Sequence, residues 1–302
     1  DRMDYLSCHM NNEAVCLAVE KGLELEVSER VKVIRTIISE LTRLSSHQLW
    51  WGVMGMDLGA ITSFLYGFRD REMITDIFEE TCGARLTMNY NIPGGLMFDI
   101  PTNFQAKVKE FITHFRKKLP EYDQLMTNNI IFRNRTEGVG ILTKKDAISY
   151  GVTGPSGRAS GWSNDVRKSN PYSAYDRVDF KEIIYTEGDS FARYQARIQE
   201  MWESMNIIDQ LIDNIPEGNY QEKTRAVIKL PKTEIYQTVE TARGELGVYI
   251  NSDGKKNPYR VKFRSPGFSN LNALNTMAKG GKIADLVTIM STIDLVIPDI
   301  DR

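Results

Sequence analysis

The chain of 302 residues has a formal net charge of −2, with 41% hydrophobic and 26% charged residues. That length allows one large domain or two ordinary ones, and the apolar share is enough for a sizeable core. The near-neutral charge gives no reason to expect a nucleic acid partner, and no apolar run approaches the roughly 18–20 residues that a membrane span needs.

The first element expected is a helix over residues 3–25. Ser28 is a good N-cap for a long helix over 29–58, whose apolar positions Val31, Ile34, Ile38, Leu41 and Leu44 recur at three- and four-residue steps. Gly52, Gly55 and Gly59 near its far end suggest the close approach of another backbone. A third helix spans 61–82 and ends at Gly83. A loop from Asn89 to Pro101 contains Pro93-Gly94-Gly95, and the helix after it, 103–117, is expected to stop at Pro120. The stretch Gly138–Tyr175 is rich in Gly, Ser and Pro, and its aromatic and charged content reads as an ordered, functional loop. A helix over 189–214 follows. Val239–Arg264 then alternates in strand fashion around a turn at Ser252-Asp253-Gly254, and a last helix over 282–293 leads into the tail. The expected fold is mainly α with a small antiparallel β portion, in one domain over 1–302. The charged start without a methionine reads as the sign of a missing upstream segment.

Cys8, Cys16 and Cys82 are an odd number without metal-ligand spacing, which points to a reducing compartment. His9, His47 and His114 are scattered. On the long helix, Glu40, Arg43 or Leu44, and His47 share one face. That face is either an exposed or satisfied polar stripe or a buried polar network between subunits or near a redox centre, and the adjacent Trp50 and Trp51 favour burial. Asp57, in Met56-Asp57-Leu58-Gly59, sits at a helix C-terminus, where the dipole disfavours a negative charge. In an apolar setting it calls for a buried cationic partner.

The tail, Asp294-Leu295-Val296-Ile297-Pro298-Asp299-Ile300-Asp301-Arg302, is similar to the Asp-Pro-Cys-x-x-Cys-x-x-His run that closes nickel–iron hydrogenase large subunits. Val296 and Asp299 stand where the cysteines would be and Arg302 where the histidine would be. A soft metal pair needs thiolates, so the resemblance keeps the fold and not the metal site. Arg2-Met3-Asp4-Tyr5, Ala18-Val19-Glu20-Lys21 and Glu40 through His47 resemble the 49-kilodalton (D-type) subunit of respiratory NADH:quinone oxidoreductase, complex I. So do Asp57-Leu58-Gly59-Ala60, Phe68 through Glu72, Arg158 through Gly161 and Asp165 through Ser173. Ala242-Arg243-Gly244-Glu245-Leu246-Gly247 and Pro258 through Lys262 are similar too, all in the family's order.

The resemblance implies a hydrogenase large-subunit-like helical core and a quinone-reducing role in a proton-pumping complex. Tyr5 matches a tyrosine that hydrogen-bonds the quinone head group, a neutral phenol with a pKa of roughly 10. Asp57 matches the aspartate that pairs with a second quinone ligand, a histidine in an upstream motif outside these residues. Asp294 and Val296 match positions that line the quinone pocket. Arg2 matches an arginine beside the terminal iron–sulfur cluster of a neighbouring subunit, where a fixed positive charge raises the potential. Thr87 stands where many relatives carry a histidine whose protonation makes that cluster's potential pH-dependent. The chain itself is expected to hold no metal or cofactor; iron–sulfur clusters, FMN and NADH belong to partner subunits. The implied partners within complex I are the cluster-bearing B-type subunit, the C-type subunit and the membrane-embedded H-type subunit, together with quinone. The implied location is peripheral, at the cytoplasmic face of the inner membrane or the matrix side in mitochondria. A related complex fed by ferredoxin or a deazaflavin, and a metal-free helical scaffold, are the alternatives.

Overall fold

The computed structural model describes residues 1–225 and 227–301. Its organising element is a helix of 29 residues, Glu29–Asp57 (α2), roughly 43 Å long at 1.5 Å per residue. Ser28 caps it, its hydroxyl accepting from the Val31 amide at 3.3 Å. From Val31 to Gly55 α2 is buried on nearly every face. A helix buried all round needs cover on all sides, and the other elements supply it. Cys8–Leu23 (α1), Ile61–Cys82 (α3) and, later in the chain, Ser190–Ile212 and Ile283–Ile293 all pack against α2.

The glycines on α2 act as the sequence suggests. A methyl group on Gly55 would collide with the Ser63 hydroxyl of α3, and one on Gly52 would stand 3.2 Å from the Phe64 Cα. From the other side, Gly67 of α3 faces the Gln48 carbonyl oxygen, which an added methyl would meet at 2.6 Å.

A two-residue ribbon, Asn91–Ile92 (β1) with Gly95–Leu96 (β2), leads to Phe104–Tyr122 (α4). Here the expectation of a stop at Pro120 is corrected. The helix carries Pro120 inside its last turns and runs on into a π-helical turn over Asp123–Thr127. Tyr122 explains this: its ring stacks on Trp51 at 3.7 Å and its hydroxyl donates to Asp70 at 3.1 Å. Those tertiary contacts outweigh the one backbone hydrogen bond that proline removes.

After Ile130–Thr136 (α5), the Gly/Ser/Pro-rich stretch is ordered into three short helices, Lys144–Tyr150 (α6), Gly154–Arg158 (α7) and Val166–Ser169 (α8). The long helix Ser190–Ile212 (α9) returns beside α2. Three antiparallel strands follow, Lys232–Thr241 (β3), Gly244–Asp253 (β4) and Arg260–Arg264 (β5), in the order β3-β4-β5. The expected turn after Ser252-Asp253 joins β4 to β5, but a second, tight hairpin at Ala242-Arg243 lies inside what reads as a single strand. Two small helices, Pro266–Asn272 (α10) and Leu274–Ala278 (α11), precede Ile283–Ile293 (α12) and the tail helix Ile297–Ile300 (α13). The first helix also begins later than the sequence suggests, at Cys8, because Asp4 is drawn into a turn that accepts from the Leu6 amide at 3.1 Å.

The fold is mainly α with a small antiparallel sheet, and no helix among the described residues is long and apolar enough to cross a membrane. On α12, Ile283 is exposed to solvent and apolar, and Val287 and Met290, partly exposed, face a cavity shared with α2.

Gly67→Ala should destabilise the α2–α3 contact by about 1–3 kcal/mol, since the Gln48 carbonyl belongs to helix backbone and cannot yield cheaply. Chemical denaturation of the variant against the parent chain checks this; an unchanged midpoint refutes the close approach.

Candidate functional site

A cavity of about 430 Å³ opens between the C-terminal half of α2, the Asp4–Ser7 turn, α12 and the tail. Tyr5, Trp50, Asp57, Arg243, Asp294 and Val296 are among the residues lining it. The volume lies within the range of small-molecule sites. Four of the six residues singled out from the sequence, Tyr5, Asp57, Asp294 and Val296, therefore reach one cavity from three separate parts of the chain.

Arg243, in the β3–β4 hairpin, organises the cavity's floor. Its Nη1 donates to Asp4 Oδ2 at 2.7 Å and to the Ser46 hydroxyl of α2 at 3.1 Å. Its Nη2 donates to Asp294 Oδ1 at 2.9 Å and its Nε to the Asp294 carbonyl at 2.9 Å. Burial alone would lower its pKa, but Asp294 and Asp4 hold the guanidinium above its usual range. Asp294 is the α12 C-cap, in the left-handed region at φ 61°. A non-glycine residue held there is costly unless its surroundings fix it, and the bonds from Arg243 do so. Val296 is buried, and Asp299 inserts behind it, its Oδ2 accepting from the Gly267 amide at 2.7 Å. Ile297 faces outward. Arg302 lies outside the described residues.

Asp57 departs from expectation. It is exposed at the cavity's rim and accepts a hydrogen bond from the Ser291 hydroxyl of α12, with no ion pair among the described residues. The helix end opens into the cavity, so water can solvate the carboxylate and no buried cation is required. Tyr5 is 36% exposed, and its hydroxyl has no partner among the described residues. Arg2 and Thr87 are exposed and do not line the cavity. Thr87 sits at φ +52°, an unusual conformation for a β-branched side chain.

Behind the cavity, Arg197 of α9 lies over the Trp50 ring at 4.7 Å. It donates to the carbonyls of Arg193 and Thr292, and stands 4.0 Å from Asp294 Oδ2. Burial pushes its guanidinium down to about 10. Deeper still is the network that the polar face of α2 announces. Glu40, Arg43 and His47 are wholly buried, so that face is not solvated and its polar groups find partners within the chain. Glu40 meets Arg43 at 3.2 Å and Arg167 at 3.1 Å, and also accepts from Ser204 and Tyr175. Burial pushes Glu40 up, but Arg43 and Arg167 outweigh it and hold the carboxyl down to about 2. His47 Nε2 lies 3.0 Å from Glu200, which takes Arg158 at 2.6 Å. Burial lowers the His47 pKa despite that carboxylate.

Residue types alone do not single out Arg243, Asp4, Arg197, Trp50 or Ser291 as parts of this site. The available signal is isolated charge in apolar surroundings: Arg193, Arg197 and Glu200 are spaced at four and three along α9 and are all buried.

The sequence profile of the family described as Respiratory-chain NADH dehydrogenase, 49 Kd subunit, matches residues 57–229 and 223–302. The chain is 56% identical over 302 residues to the C/D subunit of the NADH-quinone oxidoreductase of Bacteroides fragilis, covering all of this chain and 57% of that protein. It is 46% identical over 302 residues to the D subunit of the NADH-quinone oxidoreductase of Bacillus cereus, covering all of this chain and 82% of that one. The chain thus spans a little over half the length of its C/D relatives.

Asp299 provides a pH test of the tail. Burial and the neighbouring Asp4 push its carboxyl up to about 6, above the ordinary unfolded value. A raised carboxyl contributes stability that is complete below its unfolded pKa and is lost as pH rises through about 6. Asp299→Asn keeps an acceptor for Gly267 and removes the charge. It should gain about 1.4 kcal/mol relative to the parent between pH 5 and pH 8. Thermal denaturation across that range checks it; parallel curves for the two proteins refute it.

Proposed function

Because the chain belongs to the family of the 49-kilodalton subunit of respiratory-chain NADH dehydrogenase, we propose that its cavity is the site at which quinone is reduced in a proton-pumping NADH:quinone oxidoreductase. Electrons arrive from an iron–sulfur cluster held by a neighbouring subunit. FMN and NADH are bound elsewhere in the assembly, and this chain holds none of these groups itself. The neighbours in this reading are the cluster-bearing B-type subunit, the C-type subunit and the membrane-embedded H-type subunit. The protein sits peripherally at the cytoplasmic face, or the matrix face in mitochondria. Its core is the hydrogenase large-subunit type, reused without its metals.

The observation that carries the reading is the convergence of Tyr5, Asp57, Asp294 and Val296 on one cavity whose other walls are largely apolar. A quinone presents an apolar ring and carbonyl oxygens that become anionic on reduction. The Tyr5 phenol, which has no hydrogen-bond partner among the described residues, donates to one such oxygen and can release a proton to it. Val296, Trp50 and Met290 supply the apolar walls. Arg243, already engaged by two carboxylates, contributes a fixed polar floor without a free charge. Asp57 and Ser291 place an acceptor at the rim. Arg2 and Thr87, away from the cavity, are assigned to the side facing the neighbouring cluster.

Tyr5→Phe removes one hydroxyl from an already solvent-accessible position, so assembly should be retained. Loss of one donor to a developing oxyanion should lower quinone reduction on the order of 10²-fold. Full activity in an assembled Tyr5→Phe complex sinks the assignment. Val296→Met should narrow the cavity and shift sensitivity to quinone-analogue inhibitors with little effect on assembly. Thr87→His should give the neighbouring cluster a titrating group, since imidazole changes charge near its unperturbed pKa of about 6.5. Redox titration followed by electron paramagnetic resonance should then show a potential that varies with pH in the variant and hardly at all in the parent. An identical slope in both removes Thr87 from the cluster's surroundings.

A further inference from the structure

The ion pairs behind the cavity form one connected, water-excluded cluster. Glu40, Asp165, Glu200 and Glu240 supply four carboxylates, whereas Arg43, Arg158 and Arg167 supply three guanidiniums. His47 joins through Glu200 at 3.0 Å. All of these side chains are at most 2% exposed. One uncompensated negative charge in such a place is strongly disfavoured, so the cluster is balanced when it holds one proton.

Geometry says where that proton resides. Glu40 faces two guanidiniums, Arg43 and Arg167, and accepts from two hydroxyls as well. Asp165 is forked by Arg167, whose Nε and Nη2 donate to its two oxygens at 3.0 and 2.6 Å. Glu200 has Arg158 and the imidazole of His47. Among the described residues, Glu240 pairs only with Arg158, at 2.7 Å, a guanidinium it shares with Glu200 and Asp165. Among them, its second oxygen accepts only the Val166 amide, at 3.2 Å. The groups facing it are Arg158 from α7, Asp165 and Arg167 from the start of α8, Arg43 from α2, and the neutral phenol of Tyr172, which accepts from its backbone amide at 3.1 Å. It is the least compensated acid of the four. We propose that Glu240 holds the balancing proton and that this cluster is a proton store behind the cavity.

Burial outweighs Arg158 and pushes the Glu240 carboxyl up to about 7, so the proton is exchangeable at neutral pH. From Glu240 the cluster continues through Arg158 to Glu200 and His47. Between there and the cavity, His47 Nδ1, Arg197 Nε and Asp294 Oδ2 are buried and have no hydrogen-bond partner among the described residues. The last two are 4.0 Å apart, too long for a direct bond and suited to a bridging water. Asp294 lines the cavity. In the step proposed, the Glu240 O–H bond breaks and leaves a carboxylate; Arg158 and Arg197 keep their protons, the released proton is carried by water to His47 Nδ1 and from there to Asp294 Oδ2, and an O–H bond forms at the oxygen made anionic by electrons from the neighbouring cluster. Solvent refills the store. The delivery step rests on the quinone reading above; the proton site does not.

Infrared difference spectroscopy of the assembled complex, without quinone turnover, tests the site. The carbonyl band of a water-excluded protonated carboxyl should be present at pH 6, disappear with a midpoint near pH 7, and be missing in Glu240→Gln. No such band, or the same band in the variant, overturns the proposal. If Glu240→Gln does not assemble, Glu240→Asp, which retracts the acid from Arg158, should keep the band and move its midpoint; an unmoved midpoint overturns it equally. Delivery is read from the pH profile of kcat. The protonated form falls about tenfold per pH unit above the midpoint, so the parent rate should fall between pH 7 and pH 8, and Glu240→Gln should be slower at pH 6 and flat across that range. An unchanged profile in the variant refutes delivery. Full activity of Tyr5→Phe alongside a titrating Glu240 band would instead remove the quinone reading and leave the proton site standing.

Discussion

One guanidinium, Arg243, fixes the relative positions of everything that surrounds the cavity. It reaches from the β3–β4 hairpin to Asp4 near the start of the described chain, to Ser46 on α2 and to Asp294 at the end of α12. Each contact alone is an ordinary charge-assisted hydrogen bond. Together they bring four elements distant in sequence to one point. Arginine suits this work because its planar fork keeps its charge and offers five donors in fixed directions. The hairpin that presents Arg243 is itself held by other side chains: Arg43 donates to the carbonyls of Glu240 and Thr241 at 2.7 and 2.8 Å, and Asn270 donates to the Arg243 carbonyl at 3.1 Å.

Buried ion pairs are poor sources of net stability, because desolvation offsets most of the attraction. This protein nevertheless concentrates them around α2, α9 and the short helices between. Hydrophobic side chains of similar volume would fill that space at lower cost, but they would neither hold a proton nor specify one arrangement of the Gly138–Tyr175 segment. That segment places Leu142, Val152, Val166, Tyr172 and Tyr175 in the core. Arg158, Asp165 and Arg167 additionally anchor it by charge to Glu40, Glu200 and Glu240, so a stretch rich in Gly, Ser and Pro is buried and ordered.

Long periodic elements are legible in the sequence: α2, α3 and α9 appear with their ends close to the expected positions, because capping and apolar spacing are local signals. The elements that differ share a cause. Pro120 does not end α4, since Tyr122 is held by Trp51 and Asp70, which lie far away in sequence. Ala242 and Arg243 are not turn formers themselves; Gly244, at φ +136°, closes the hairpin, and Arg43 and Asn270 hold the bend. Asp57 reads as a buried charge because its neighbours Met56 and Leu58 are apolar, but Met56 is itself exposed. At the site, Tyr5, Asp57, Asp294 and Val296 are legible only through resemblance, and the residues that hold them in place emerge from the three-dimensional arrangement.

The clamp also sets an order of events. Arg243 and Asp4 are separated by 239 positions and Arg243 and Asp294 by 51. Contacts of that span form late in folding, after the local helices. On a ribosome, α1, α2 and α3 emerge and pair long before the last strand and α12 exist. The cavity therefore closes only after α12 has been made, later than the pairing of α1, α2 and α3. Until Arg243 is in place, Asp4 lacks its guanidinium partner, and its carboxylate must be carried by solvent rather than by the fold.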